Sequence, residues 1–339
     1  MGVGTPCASG TLTRMPSPRR RRVAARLLGP LLLALSILPW LGAGGAAAAP
    51  LYPHQSQGNR GADVKAIQGL LRHHGEVPAI DGVYGASTTS AVMAFQASHG
   101  LTADGQVGET TWVKLVVRVA TGSTGEAVKA LQRELNAKRR AGLTVNGIYG
   151  AATRRAVTAF QGHVHLSQNG IAGPLTWRYL IAHFQRPVFG SKLCDYQVGN
   201  GLADWGTGAA IGQLQAAAVG VVALGRGRVA VGDISFEHGG DIPGHVSHER
   251  GLDVDVRPMR RDGAQCTSRT NYRLSTYSRA ATRDLIKAIR AAAPGHVKLI
   301  YFNDPVLIRE GLTRWYTGHD DHLHIRYCEI VHPVPAYRC

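Results

Sequence analysis

The chain has 339 residues, 44% of them hydrophobic and 18% charged, with 38 Lys+Arg against 22 Asp+Glu for a formal net charge of +16. That composition is too apolar and too sparsely charged for a disordered protein, and the length suits two or three folded units. Five cysteines are too few for a disulfide-dense miniprotein, and a single long apolar run near the N-terminus excludes a polytopic membrane protein.

Residues 1–49 read as a targeting segment. Arg19, Arg20, Arg21 and Arg22 precede an apolar stretch from Leu27 to Leu41, and Ala46 to Ala49 follow as a small-residue cleavage site. Gly29, Pro30 and Pro39 interrupt the run, so removal is favoured and no stable membrane anchor is expected after cleavage near Ala48. The expected destination is the cell wall or periplasm, by the general or the twin-arginine route, with either Met1 or Met15 as the start. This segment carries six arginines and no acid, so the remainder keeps about +10 of the +16. A basic exported protein suits an anionic surface outside the cell. The positive residues are scattered and no nucleic-acid motif is present, so nucleic acid is not an expected partner.

Residues 58–118 and 122–183 carry one pattern twice. The first copy runs Val64, Gln68, Leu71, Asp81-Gly82, Tyr84-Gly85, Thr88, Val92, Phe95-Gln96, Gly105, Thr111-Trp112. The second runs Val128, Gln132, Leu135, Asn146-Gly147, Tyr149-Gly150, Thr153, Val157, Phe160-Gln161, Gly170, Thr176-Trp177. The offset is 64 residues at the start and 65 after the first loop, which marks a tandem duplication. Val64, Ile67, Leu70 and Leu71 recur at helical spacing, as do Ala91, Val92 and Phe95. Asp81-Gly82 and Asn146-Gly147 supply turns, and Thr88 and Thr153 read as helix starts. The copies share no catalytic constellation, and their aromatics read mainly as core. The order D-G-x-Y-G, T, F-Q, G-x-x-T-W resembles the peptidoglycan-binding domain of bacterial wall hydrolases. That resemblance implies two small all-α, three-helix modules holding the protein on peptidoglycan, where two linked weak binders gain effective concentration over one.

A linker-like stretch, Gln185-Arg186-Pro187, leads into a last unit at residues 190–339. Arg228 to Ser235 reads as a strand, and Gly239-Gly240, Pro243 and Gly244 as an irregular loop. From Leu252 the residues alternate, with Leu252, Val254 and Val256 on one side and Asp253, Asp255 and Arg257 on the other. The segment from His322 to Tyr327 repeats this signature, with His322, His324 and Arg326 as its polar set. Side by side, two such strands place Asp and His on one face, and His248 is able to fold back from the loop as a third ligand. Carboxylate and imidazole on rigid strands is the chemistry of a metal site. No H-E-x-x-H helix is present. A helix over Ser275 to Ala293 and a strand over Val297 to Phe302 complete an expected α+β domain with its site on an antiparallel sheet.

The H-x6-D pair His248 and Asp255, with H-x-H at His322 and His324, resembles the murein metallopeptidases. The flanking stretches G-H-V-S-H-E-R-G-L-D-V-D-V and G-H-D-D-H-L-H-I-R are most similar to penicillin-insensitive murein endopeptidase. The resemblance implies one Zn2+ held by His248, Asp255 and His324, with His322 as catalytic base or transition-state stabiliser. His245 and His319 match further histidines of the same blocks, and Asp253 shares the Asp255 face. These three are candidates for additional metal binding or for orienting the ligands, and the remaining histidines leave room for a second ion. The activity implied is hydrolysis of peptide cross-links in peptidoglycan. The alternatives are a D,D- or L,D-carboxypeptidase acting on stem peptides, or a non-catalytic peptidoglycan-binding protein. Cys194, Cys266, Cys328 and Cys339 remain in the exported part. An even count there suggests two disulfides among three pairings; Cys328 with Cys339 closes the shortest loop and leaves Cys194 with Cys266.

Overall fold

The computed structural model of the protein describes residues 49–197 and 202–339, so the targeting segment, apart from residue 49, lies outside the described residues. Among the described residues no helix is long and apolar enough to cross a membrane. Each repeat is three helices. The first holds α1 (Ala62–His73), α2 (Ala86–Ser98) and α3 (Glu109–Leu115); the second holds α4 (Glu126–Arg139), α5 (Ala151–His163) and α6 (Pro174–Ala182). The apolar stripe of α1, Val64, Ile67, Leu70 and Leu71, is fully buried.

The loops between these helices are tied down by buried glutamines. Gln68 Nε2 donates to Asp81 Oδ1 at 2.8 Å and to Thr88 Oγ1 at 3.0 Å, while Gln68 Oε1 accepts the Gly82 N–H at 2.9 Å. The same clamp recurs at Gln96 with Asp104, Gly105 and Thr111, at Gln132 with Asn146, Gly147 and Thr153, and at Gln161 with Asn169, Gly170 and Thr176. Each repeat therefore uses a smaller helix–loop–helix clamp twice, four times across the two. Gly82 must be glycine, because its φ of 76° lies in the left-handed region. The two tryptophans are core, as the sequence suggested: Trp112 and Trp177 are fully buried and donate their indole N–H to Pro53 and Val117 carbonyls. One apolar core spans both repeats, and α1 meets α4 where Gly69 lies against Ala130.

The last unit contains β1 (Leu193–Asp195), α7 (Gly208–Ala223), β2 (Val229–Val231), β3 (Asp253–Val256), α8 (Arg279–Ala292), β4 (Val297–Tyr301), α9 (Pro305–Arg309) and β5 (Leu323–Tyr327). The sheet order is β1-β2-β3-β5-β4. All pairs are antiparallel except β1 with β2, which run parallel. The expectation of an antiparallel sheet thus holds for the strands carrying Asp255 and His324 but not for the edge. There α7 links β1 to β2 as a crossover, the connection a parallel pair requires. Helices α7 and α8 bury Ile211, Leu214, Leu285 and Ile289 against Val229, Val254, Val256, Leu323 and Ile325. Disulfides join Cys194 to Cys266 and Cys328 to Cys339.

Gln185-Arg186-Pro187 is a packed joint rather than a linker. Gln185 exchanges backbone hydrogen bonds of 2.8 and 2.9 Å with Gly206, and Arg186 pairs with Asp204. Helix α7 approaches α1 so closely that a Cβ on Gly212 would lie 2.2 Å from the Arg60 carbonyl oxygen. Residues 48–339 form one compact unit.

Candidate metal centre

The register of β3 against β5 places Asp255 opposite His324 and Asp253 opposite Arg326. Cross-strand partners share a face, so the period of two that sends Val254 and Ile325 into the core sends these four side chains to the other side. That face is not solvated. Asp253, Asp255 and His324 are 4–7% exposed, roofed by the loops before β3 and before β5. The first loop returns His248 to the site with a backbone φ of 81°, an uncommon value for a residue with a side chain. The His248 N–H donating to Asp253 Oδ2 at 3.2 Å helps hold that conformation.

Three atoms able to ligate a metal ion converge. His248 Nε2 lies 3.4 Å from Asp255 Oδ1, His324 Nδ1 lies 3.1 Å from the same oxygen, and the two nitrogens are 3.2 Å apart. The outer hydrogen bonds fix the tautomers. His248 Nδ1 donates to the Ile234 carbonyl at 2.8 Å, which leaves the lone pair on Nε2. His324 Nε2 donates to Asp253 Oδ1 at 2.9 Å, which leaves the lone pair on Nδ1. Two lone pairs and a carboxylate oxygen thus face one point, an arrangement that calls for a cation. Tetrahedral bonds of ~2.0–2.1 Å separate ligand atoms by roughly 3.3 Å, so the residues fit a zinc-sized ion.

The charges carry the same demand. Burial would raise the Asp255 carboxyl, but hydrogen bonds from His248 and His324 outweigh it and hold it well below the usual carboxylate range. Asp253 is likewise held at about 2 against its burial, by His324 and Arg326, whose Nε donates to it at 2.6 Å. Burial opposes charge on His324 too, yet Asp253 and Asp255 raise it to about 9. Without a metal ion, a proton answers the same call for positive charge.

These atoms line a cleft of about 670 Å³. His322 lies in its wall with Nδ1 3.0 Å from Asp321 Oδ1, and the two aspartates Asp321 and Asp255 raise its pKa against the lowering effect of burial. With Nδ1–H on Asp321, Nε2 is the basic atom of that ring. His319 lies beside it, ring centroids 4.7 Å apart and the planes tilted by 40°, and donates Nδ1–H to the Thr317 carbonyl. His245 Nε2 sits 3.2 Å from Asp233 Oδ2, with Nδ1 3.9 Å from Asp255 Oδ2. All seven candidate His and Asp residues therefore surround one centre. Asp233, Asp321, Tyr196 and the Ile234 carbonyl were not foreseen. Asp321 had a signal, lying beside His322 in the D-D-H-L-H block, whereas a carbonyl partner leaves no trace in sequence.

Fold and site together define a class: paired helical repeats packed on an α+β domain that carries a two-histidine, one-carboxylate centre. Comparison gives the particulars. Residues 60–115 and 124–180 each match the peptidoglycan binding domain family, and residues 200–301 match the family of penicillin-insensitive murein endopeptidase. The latter match includes His248 and Asp255 and ends before His319, His322 and His324. An uncharacterized protein in the bpoA1 3′ region of Kitasatospora aureofaciens is 41% identical over 76 residues, 21% of this chain and 63% of that one. The crystal structure of Burkholderia AP3 phage endolysin is 33% identical over 32% of this chain and 38% of that one, with a TM-score of 0.19. The chain thus spans less than two thirds of either relative.

Proposed function

We propose that the protein is an exported zinc peptidase that hydrolyses peptide cross-links of peptidoglycan, held on its polymer by the two repeats. The observation that carries this reading is the convergence of His248 Nε2, Asp255 Oδ1 and His324 Nδ1, with outer hydrogen bonds that leave both nitrogens as acceptors. The two family matches, to wall binding and to a murein endopeptidase, support the substrate class. Two disulfides agree with an oxidising compartment outside the cytoplasm.

A divalent ion in this centre supplies Lewis-acid polarisation of the scissile carbonyl and acidifies a water to a pKa near ~7. The chain's own residues do the rest. Asp253 orients His324 and Arg326 together, and Ile234 orients His248, so the ligands need no rearrangement. His322 takes a proton at Nε2 during attack and returns it to the leaving amine, with Asp321 holding its ring. Arg257, stacked 4.0 Å over Tyr196, and Arg269 give the cleft a positive wall suited to the carboxylates of stem peptides.

Digestion of purified cross-linked muropeptides, read by mass, tests the proposal. Dimers collapse to monomers with the wild type, and do not with His324→Ala or a chelated sample. Release of a single terminal residue instead would make the protein a carboxypeptidase; no metal-dependent product, with wall binding retained, would make it a binding protein.

A further inference from the structure

A second group of ligands lies at the joint between the helical repeats and the sheet domain. His163 ends α5, His183 caps α6, and Glu237 stands in the loop that runs on to His245 and His248. Their ligand atoms all lie within 4.8 Å of one another. Both imidazoles aim Nε2 at one oxygen: His163 is 3.0 Å and His183 3.5 Å from Glu237 Oε1. His183 Nδ1 donates to the Phe184 carbonyl at 2.6 Å, so its Nε2 carries a lone pair. That nitrogen is buried, faces a carboxylate oxygen and has no hydrogen-bond partner, while the residue is 7% exposed.

Arg139, at the end of α4, supplies part of the missing positive charge. Its Nη1 reaches Glu237 Oε1 and lies 3.1 Å from His163 Nε2, but it gives nothing to His183. The Arg139 side chain is 27% exposed and has room to swing outward. His238, exposed and next in sequence to Glu237, has its ring 5.5 and 5.7 Å from those of His163 and His183, and stands as a fourth donor at the rim.

We propose that His163, His183 and Glu237 form a second divalent-cation site, of the zinc class, that fastens the second repeat to the loop carrying His245 and His248. Two imidazoles and a carboxylate are the ligand types of structural and catalytic zinc alike, and this set excludes the hard-ion chemistry of calcium or magnesium. The ion displaces Arg139 from Glu237 and answers the orphaned His183 nitrogen. Because the three ligands come from two modules, binding raises the stability of the packed form and of that joint above all.

Titration of the chelator-stripped full-length chain with Zn2+, by calorimetry and metal analysis, tests this. Wild type binds two ions per chain, His163→Ala/His183→Ala binds one, and His324→Ala retains the joint ion. The joint site is therefore judged separately from the catalytic centre, whose ion is the one that His324→Ala loses. Arg139→Ala, freed of the competing guanidinium, binds the second ion more tightly. His163 is partly exposed, so His163→Ala alone carries the test should the His183 change prevent folding. A single wild-type ion that His324→Ala abolishes, or an ion content undiminished in a folded His163 variant, would overturn the proposal.

Discussion

At the residue scale, the centre is organised by side chains one step back from the proposed ligands. Asp253 holds His324 Nε2 at 2.9 Å, Arg326 Nε at 2.6 Å and the His248 N–H at 3.2 Å. Replacing Asp253 by Asn keeps the shape but removes the charge and one acceptor. Zn2+ affinity then falls by about 10–100-fold, measured by competition with a chromogenic chelator. His322, on the proposed reading, moves protons without holding the ion. His322→Gln therefore retains one ion at the centre while kcat on muropeptide dimers falls by roughly 10²–10⁴-fold. Loss of the ion in parallel with activity would make His322 a ligand instead. Asp253 with Asp255, and His324 with Arg326, were legible because they lie on strands, where a period of two fixes which residues share a face, with His248 in the loop ahead of them. The positive φ of His248 was not, since nothing in a histidine announces it.

At the element scale, the contact between α1 and α4 carries a buried charge group. Asp63, Glu134 and Lys138 are each 1% exposed or less, and Lys138 Nζ pairs with Asp63 at 2.7 Å. One cation cannot balance two desolvated carboxylates, and both Glu134 oxygens lack a hydrogen-bond partner. Burial, with the Asp63 charge added, pushes Glu134 far above its ordinary 4.5, so it holds a proton in the folded protein. A carboxyl whose folded pKa is raised contributes stability below its unfolded value, and that contribution is lost as pH rises through the folded value. Glu134 therefore contributes a fall in melting temperature as pH climbs from 4.5 toward about 8, and Glu134→Gln removes that contribution. Thermal unfolding of both proteins across that range checks it; parallel curves would assign the slope to other groups. The helices themselves were readable from period and turns. The four glutamine clamps were visible only as a repeated F-Q and a repeated Gln, whose partners lie 8 to 21 residues away.

At the scale of the whole molecule, the repeats and the sheet domain pack together instead of hanging from a linker. The joint is close: Gly212 admits no side chain beside Arg60, Arg60 Nε donates to the Ala292 carbonyl at 3.0 Å, and His54 N–H donates to buried Glu329 at 3.0 Å. Gly212→Val forces α7 off α1. It costs about 1–3 kcal/mol by overpacking, seen as a lower melting temperature, and speeds proteolysis between residues 185 and 207. Unchanged melting and cleavage would show that the modules do not depend on this contact.

The sequence by itself determined the duplication, the helical character of each copy, the α+β character of the last unit, and which histidines and aspartates stand near one another. All of these are written in local terms, as a period, a turn or a short spacing, because a strand or helix reports its own exposed and buried faces. Tertiary structure alone decided the parallel pairing of β1 with β2, the Ile234 carbonyl on His248, Asp233 on His245, the docking of α1 on α7, and the meeting of His163 and His183 with Glu237. Each joins groups from separate parts of the chain, 74 residues apart for His163 and Glu237 and 152 for Arg60 and Gly212, and no local pattern constrains such a pair. What fixes them is close packing of one module on another, where a glycine or a lone pair has a single available neighbour.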